Sequence, residues 1–143
     1  MSYAKQVLDD AHDLAMSVAR LNRRMRRERR SELTPTQLSV LGAVALLGPA
    51  TPGSIASHEQ VRPPSVTRML NQLTESGYIR RLPDPQDGRQ VLVEISDEGH
   101  SRLAQERQRR DAWLQEQLDH LSDSERELLR AAAPLLKRIA EAA

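Results

Sequence analysis

Polar side chains recur on one side of the segment between residues 62 and 75. Its apolar residues have the spacing of one helix face, and they are Val66, Met69, Leu70 and Leu73. The other face carries Ser65, Thr67, Arg68, Asn71, Gln72 and Glu75. An arginine can pair with guanine and an asparagine or glutamine with adenine, and an α-helix fits the major groove of B-form DNA. Taken alone, however, this pattern is more typical of a helix face that is simply solvated.

A second candidate site lies in the charged turn DPQDGRQ, residues 84 to 90. Arg89 follows the tip of this turn, where a long cationic side chain could enter the minor groove of DNA, whose negative potential attracts arginine. Asp87 lies two residues earlier, and a bidentate pair would hold the Arg89 guanidinium in place. The alternative is an ordinary surface ion pair, which stabilises a protein very little.

The residues before this turn predict three helices. Thr34-Pro-Thr-Gln is typical of a capped helix start, and Gly48-Pro49 marks the end of that helix. A second, short helix is predicted to begin at Thr51-Pro-Gly-Ser. The third begins at Pro63-Pro64, where short neighbouring side chains would let its N-terminus approach a phosphate backbone, and it ends at Gly77, which suits a left-handed backbone.

After Gly77 the hydrophobic period changes from about 3.6 to 2, on both sides of the charged turn. This change predicts a two-stranded hairpin, which must pack against the helices because an isolated hairpin is only marginally stable. The order helix, helix, turn, helix, hairpin is that of a winged helix-turn-helix, here over residues 34 to 96.

Long amphipathic helices are predicted at both ends of the chain. Their apolar stripes are Val7, Ala11, Leu14, Val18, Leu21 and Met25, and then Leu128, Ala132, Leu135 and Ile139. Asp97 is a candidate N-cap, and Ser122-Asp-Ser-Glu is typical of a capping box. The stripes exceed what the middle segment can cover, so we expect them to bury one another in a homodimer, and an intrachain bundle is the alternative. The predicted fold class is therefore mainly α with a small β-hairpin.

Composition excludes several classes of function. The 143 residues suit one domain, and the absence of cysteine rules out disulfides, thiolate metal sites and cysteine redox switches. Four histidines are scattered without ligand-like spacing, and no catalytic motif or phosphate-binding glycine loop is present. We therefore expect no enzyme activity, no metal and no cofactor. Without a long apolar run or an export signal, we expect no membrane association and a cytoplasmic location.

The segment from Leu33 to Gly99 resembles the MarR (multiple antibiotic resistance regulator) family of bacterial winged helix-turn-helix repressors. The matching motifs are LTPTQLSVLGAV, VRPPSVTRMLNQLTESGYIRR and DPQDGRQVLVEISDEG. The resemblance implies one MarR-type domain over residues 1–143, with dimerisation helices at 1–33 and 97–143. It also implies a homodimer on a near-palindromic operator in double-stranded DNA, usually repressing its own gene and a neighbouring efflux, detoxification or stress gene.

Carried over by position, Ser65, Thr67 and Arg68 would face the major groove. Arg89 would enter the minor groove with Asp87 as its brace, and Arg62 and Pro64 would lie where family members often touch the DNA backbone. With Asn71, which belongs to the same polar face, the expected DNA-binding set is Arg62, Pro64, Ser65, Thr67, Arg68, Asn71 and Arg89.

Two further features remain open at this point. RLNRRMRRERR, residues 20 to 30, contains seven arginines, which could contact phosphates, but we favour a solvated helix end paired with acids of the C-terminal helices. Family members often release DNA on binding a small phenolic ligand. Only Tyr3, Tyr78 and Trp113 are aromatic, so we expect no inducer pocket lined by stacked rings, and a cavity lined by alanine and leucine is the alternative left open.

The competing function is a winged-helix module that binds another protein and not DNA. Arg68 and Arg89 distinguish the two, because a docking module has no need for both cations on one surface at groove spacing.

Overall fold

Helices dominate the computed structural model, which describes residues 2–143. The described chain forms six helices and one antiparallel hairpin. In order these are α1 (Tyr3–Arg29), α2 (Pro35–Leu47), α3 (Pro52–Glu59), α4 (Pro63–Glu75), β1 (Ile79–Pro83), β2 (Val91–Ile95), α5 (Asp97–Asp119) and α6 (Asp123–Ala140). The predicted fold class, mainly α with a small hairpin, is confirmed.

Hydroxyl caps set the starts of α2, α3 and α6, as the sequence predicts. Thr34 Oγ1 accepts from the Gln37 backbone N–H at 3.1 Å, and Gln37 Oε1 accepts from the Thr34 N–H at 2.9 Å, which completes a capping box. Thr51 caps α3, and Ser122 with Glu125 forms a second capping box at α6. The N-cap of α5 is Ser96 and not Asp97, since the Ser96 hydroxyl accepts from the Gly99 N–H and Asp97 is the first helical residue.

The hydrophobic core lies between α2, α3, α4 and the hairpin. The inward face of α4 contributes Val66, Leu70 and Leu73, all buried. The hairpin pairs Ile79 with Ile95 and Pro83 with Val91, and a backbone bridge from Ala50 to Val93 ties it to the segment before α3. Gly77 has a φ of 82°, the left-handed conformation predicted for it. The hairpin is thereby fixed relative to α4.

The terminal helices α1 and α6 have no buried residue. α1 packs along α5, yet Leu14 remains 48% exposed, and on α6 Leu128 and Ile139 are 71% and 64% exposed. α6 also contains Pro134, a residue that removes one helical hydrogen bond. No helix among the described residues is both long and apolar enough to cross a membrane.

Candidate nucleic-acid interface

The outer face of α4 presents the side chains predicted for the major groove. Thr67, Arg68 and Asn71 are exposed, and Ser65 is half-buried. Thr67 donates its hydroxyl hydrogen to the Pro63 carbonyl at 3.0 Å, which leaves its oxygen lone pairs able to accept. Arg68 makes no ion pair with any described residue. Its guanidinium is therefore free for an external partner.

The N-terminus of α4 offers fewer amide donors than a usual helix start. Pro63 and Pro64 have no N–H, and the N–H groups of Ser65 and Val66 point to the Arg62 carbonyl at 3.0 and 3.3 Å. A phosphate approaching this end would therefore meet side chains, namely the exposed Arg62 and the Ser65 hydroxyl, in place of unpaired backbone amides.

Two residues that the sequence did not single out contact this face from neighbouring elements. The Arg81 guanidinium, on β1, donates to Asn71 Oδ1, and Gln37, on α2, donates from Nε2 to Gln72 Oε1 at 2.9 Å. The alternation of side chains along β1 partly indicates the contact between Arg81 and Asn71. Neighbouring Arg80 points to the opposite face of the strand and pairs with Glu94 at 3.0 Å. Nothing in the local sequence indicates the second.

The turn of the hairpin is held by aspartates through the backbone. Asp84 Oδ1 accepts from the Gln86 N–H at 2.9 Å, and Asp87 Oδ1 accepts from the Arg89 N–H at 3.0 Å. The predicted bidentate pair between Asp87 and the Arg89 guanidinium is not formed. A carboxylate two residues ahead of an amide closes a short hydrogen-bonded turn, so Asp87 shapes the loop and leaves the Arg89 side chain exposed.

A cleft of about 400 Å³ lies between α1, α2, α3 and α5. Its lining includes Arg26, Arg29, Arg107 and Arg110, so it is more cationic than the alanine- and leucine-lined cavity that the sequence left open. Glu106 is 1% exposed on the same wall, and neither of its carboxylate oxygens has a hydrogen-bond partner among residues 2–143. Burial, followed by the neighbouring Arg110 and Arg26 guanidinium groups, lowers the pKa of Arg29.

The arginine-rich segment of α1 does not pair as favoured from the sequence. Arg24 bonds Glu28 of the same helix at 2.9 Å and lies 5.3 Å from the centre of the Trp113 ring. No ion pair joins residues 20–30 to an acid of α5 or α6 in the part of the chain that the structure describes. Among residues 2–143, no group of three or more histidine, aspartate or glutamate side chains is arranged to hold a metal ion.

Comparison with known proteins adds the family context. A family model described as "MarR family" matches residues 33–91. An uncharacterised HTH-type transcriptional regulator of Mycobacterium bovis is 45% identical, over 88% of this chain and 89% of its own length. The multiple antibiotic resistance protein MarR of Salmonella typhimurium is 36% identical, over 61% of this chain and 60% of its own length.

A solved structure shares the fold along nearly its whole length. This protein, from Pseudomonas aeruginosa and described as a candidate transcriptional regulator, is 38% identical to the chain. It superimposes with a TM-score of 0.87, over 96% of this chain and 98% of its own. The Mycobacterium bovis and Pseudomonas aeruginosa proteins are named as transcriptional regulators.

Proposed function

Because the chain belongs to the MarR family of DNA-binding transcriptional regulators, we propose that it binds a near-palindromic operator in double-stranded DNA as a homodimer. In each subunit α4 enters the major groove, and Arg89 enters the adjacent minor groove. The observation that carries the proposal is the exposure of Arg68 and Arg89 on two elements, α4 and the hairpin, that pack on one core. Arg62, Pro64, Ser65, Thr67 and Asn71 complete the contact surface.

The exposed apolar faces of α1 and α6 support the dimer. Leucine, valine and isoleucine side chains that are between 42% and 71% exposed along two long helices favour burial against a second copy of the same surface. Two α4 helices related by a two-fold axis would then meet successive major grooves, about one helical turn apart.

Regulation follows from the same arrangement. Binding at a promoter would repress the regulator's own gene and a neighbouring efflux, detoxification or stress gene, in the cytoplasm where the chromosome is accessible. The cleft between the terminal helices and the DNA-binding region is the place for a releasing ligand, and its four arginines favour a small anionic molecule.

Binding to the DNA upstream of the protein's own gene tests the proposal. We expect a discrete complex whose affinity falls about a thousandfold or more between 50 and 200 mM salt, if roughly six phosphates are neutralised. Fluorescence anisotropy over a salt series measures this slope. No binding to any upstream duplex at low salt, or a flat salt response, would contradict the proposal and favour a protein-docking module.

A further inference from the structure

Two carboxamide side chains on the outer face of α4 are already engaged through their oxygen atoms. Asn71 Oδ1 accepts from Arg81, and Gln72 Oε1 accepts from Gln37. A carboxamide has one accepting end and one donating end. Each carbonyl oxygen therefore has one of its two lone pairs occupied, whereas the NH2 groups of Asn71 and Gln72, both exposed, make no hydrogen bond with residues 2–143.

The chemistry of the partners fixes which end of each carboxamide is engaged. The guanidinium of Arg81 can only donate, so Asn71 must meet it with oxygen. Gln37 Oε1 is already occupied by the Thr34 N–H at 2.9 Å in the capping box of α2. Gln37 therefore reaches Gln72 with its nitrogen, and Gln72 must accept.

This polarity changes which base each side chain can recognise. A carboxamide that pairs with adenine uses both ends, because its oxygen accepts from N6–H while its nitrogen donates to N7. A carboxamide oxygen that already accepts a hydrogen bond from the protein is directed toward that partner and keeps only one lone pair, so the first of these bonds is weakened. Guanine presents two neighbouring acceptors, N7 and O6, on its major-groove edge, and both suit an NH2 group.

Resting on the proposed DNA-binding function, we propose that Asn71 and Gln72 contact the operator chiefly as donors and select guanine over adenine at the base pairs they touch. Arg81 and Gln37 are then positioning residues. They act on sequence preference through the carboxamides, from a strand and a helix outside α4.

Selection from a pool of randomised duplexes measures the preference directly. Asn71→Ala and Gln72→Ala first identify the base pairs at which each side chain discriminates, since discrimination is lost there. At those pairs the wild-type dimer is expected to favour guanine over adenine by roughly tenfold, the size of one good base contact.

Arg81→Met tests the first contact. Freeing Asn71 Oδ1 restores the adenine-binding geometry, so the preference at the Asn71 base pair is expected to move from guanine to adenine. Arg80→Met is the matched control. It removes the same charge from the same strand, but Arg80 pairs with Glu94, and the wild-type preference is expected to remain.

Gln37→Glu tests the second contact without disturbing the helix start. A glutamate still accepts from the Thr34 N–H in a capping box, but it cannot donate to Gln72. Gln72 would then turn its NH2 group inward and present its oxygen, and its base preference is expected to move toward adenine or cytosine, which offer donors. Thr36→Glu, at the exposed neighbouring position, adds the same charge and is expected to lower affinity without changing preference.

The outcomes separate this inference from the function on which it rests. Wild-type selection of adenine at these pairs, unchanged discrimination in both alanine variants, or an unchanged preference in Arg81→Met and Gln37→Glu overturns the inference. Failure of the wild-type protein to bind any duplex overturns the proposed function instead.

Discussion

Arg89 owes its exposure to the way its neighbours are bonded. Asp87 takes the backbone N–H of Arg89, and the Asp84 backbone N–H is bonded to the Gln90 carbonyl at 3.2 Å across the base of the turn. The carboxylate therefore shapes the loop and does not neutralise the cation. In the proposed complex this leaves the full charge of Arg89 for the minor groove.

Substitutions of Asp87 distinguish a backbone role from a charge pair. Asp87→Asn keeps an oxygen that can accept from the Arg89 N–H, so DNA affinity is expected to stay within about twofold of wild type. Asp87→Ala removes the acceptor and loosens the turn, which is expected to weaken binding roughly fivefold, since one such hydrogen bond contributes about 1 kcal/mol. Anisotropy titrations at fixed salt give both values. Equal losses in the two variants would instead indicate an ion pair formed in the complex.

For individual residues, the sequence predicts the exposure of a side chain better than its hydrogen-bond partner. The exposure of Arg68 and Asn71 follows from helical spacing alone. The bonds from Arg81 and Gln37 span 10 and 35 residues along the chain, so they depend on tertiary packing that no local pattern encodes. The same limit applies to Glu106, which lies on the inward stripe of α5 with Gly99 and Leu103 although its side chain is charged.

Among the elements, the start of α5 packs closely against the segment that joins α4 to the hairpin. Ser96 donates its hydroxyl to the Gly77 carbonyl at 2.5 Å, and its N–H bonds the Tyr78 carbonyl at 2.9 Å. A Cβ at Gly99 would lie 2.1 Å from that Tyr78 oxygen. Only glycine lets α5 begin so close to the hairpin.

Gly99→Ala is therefore expected to destabilise the fold by about 1–3 kcal/mol, because a backbone oxygen and not a flexible side chain must move. Thermal denaturation followed by circular dichroism measures the change. Gly88→Ala is the matched control. No atom lies within 4 Å of a Cβ at Gly88, and its φ is not positive, so its melting temperature is expected to stay near that of wild type. Equal melting temperatures for the two variants would contradict the close approach.

Helix boundaries were the most predictable part of the fold. Thr34, Thr51 and Ser122 have short hydroxyl side chains followed by helix-forming residues, and each caps a helix as predicted. The start of α5 differs by one residue, because Ser96 and Asp97 can both cap and only packing against Gly77 selects the serine. Local chemistry predicts where an element can begin, and tertiary contacts choose between neighbouring candidates.

At the scale of the whole molecule, the apolar residues divide into two sets. Most of those of α2, α3, α4 and the hairpin fill one core together with Leu103 of α5, whereas most of those of α1 and α6 remain exposed in the single chain. The second set cannot serve to bind DNA phosphates, because leucine and isoleucine side chains have no charge and no hydrogen-bond donor. A two-fold partner would cover these faces and also set the distance between the two α4 helices.

Leu135→Glu tests whether the exposed apolar residues of α6 lie in a dimer interface. A buried unpaired carboxylate would occur twice in a symmetric interface and cost several kcal/mol in all. We expect the variant to lose the dimer, falling to the mass of one 16.1 kDa chain or unfolding, and to lose operator affinity more than tenfold. Sedimentation equilibrium and circular dichroism distinguish the two forms of loss. Lys137→Glu, on the same exposed helix but off the apolar stripe, is expected to retain the dimer. A monomeric wild-type protein that binds the operator tightly, or a Leu135→Glu variant that keeps both dimer and affinity, would contradict the proposed assembly.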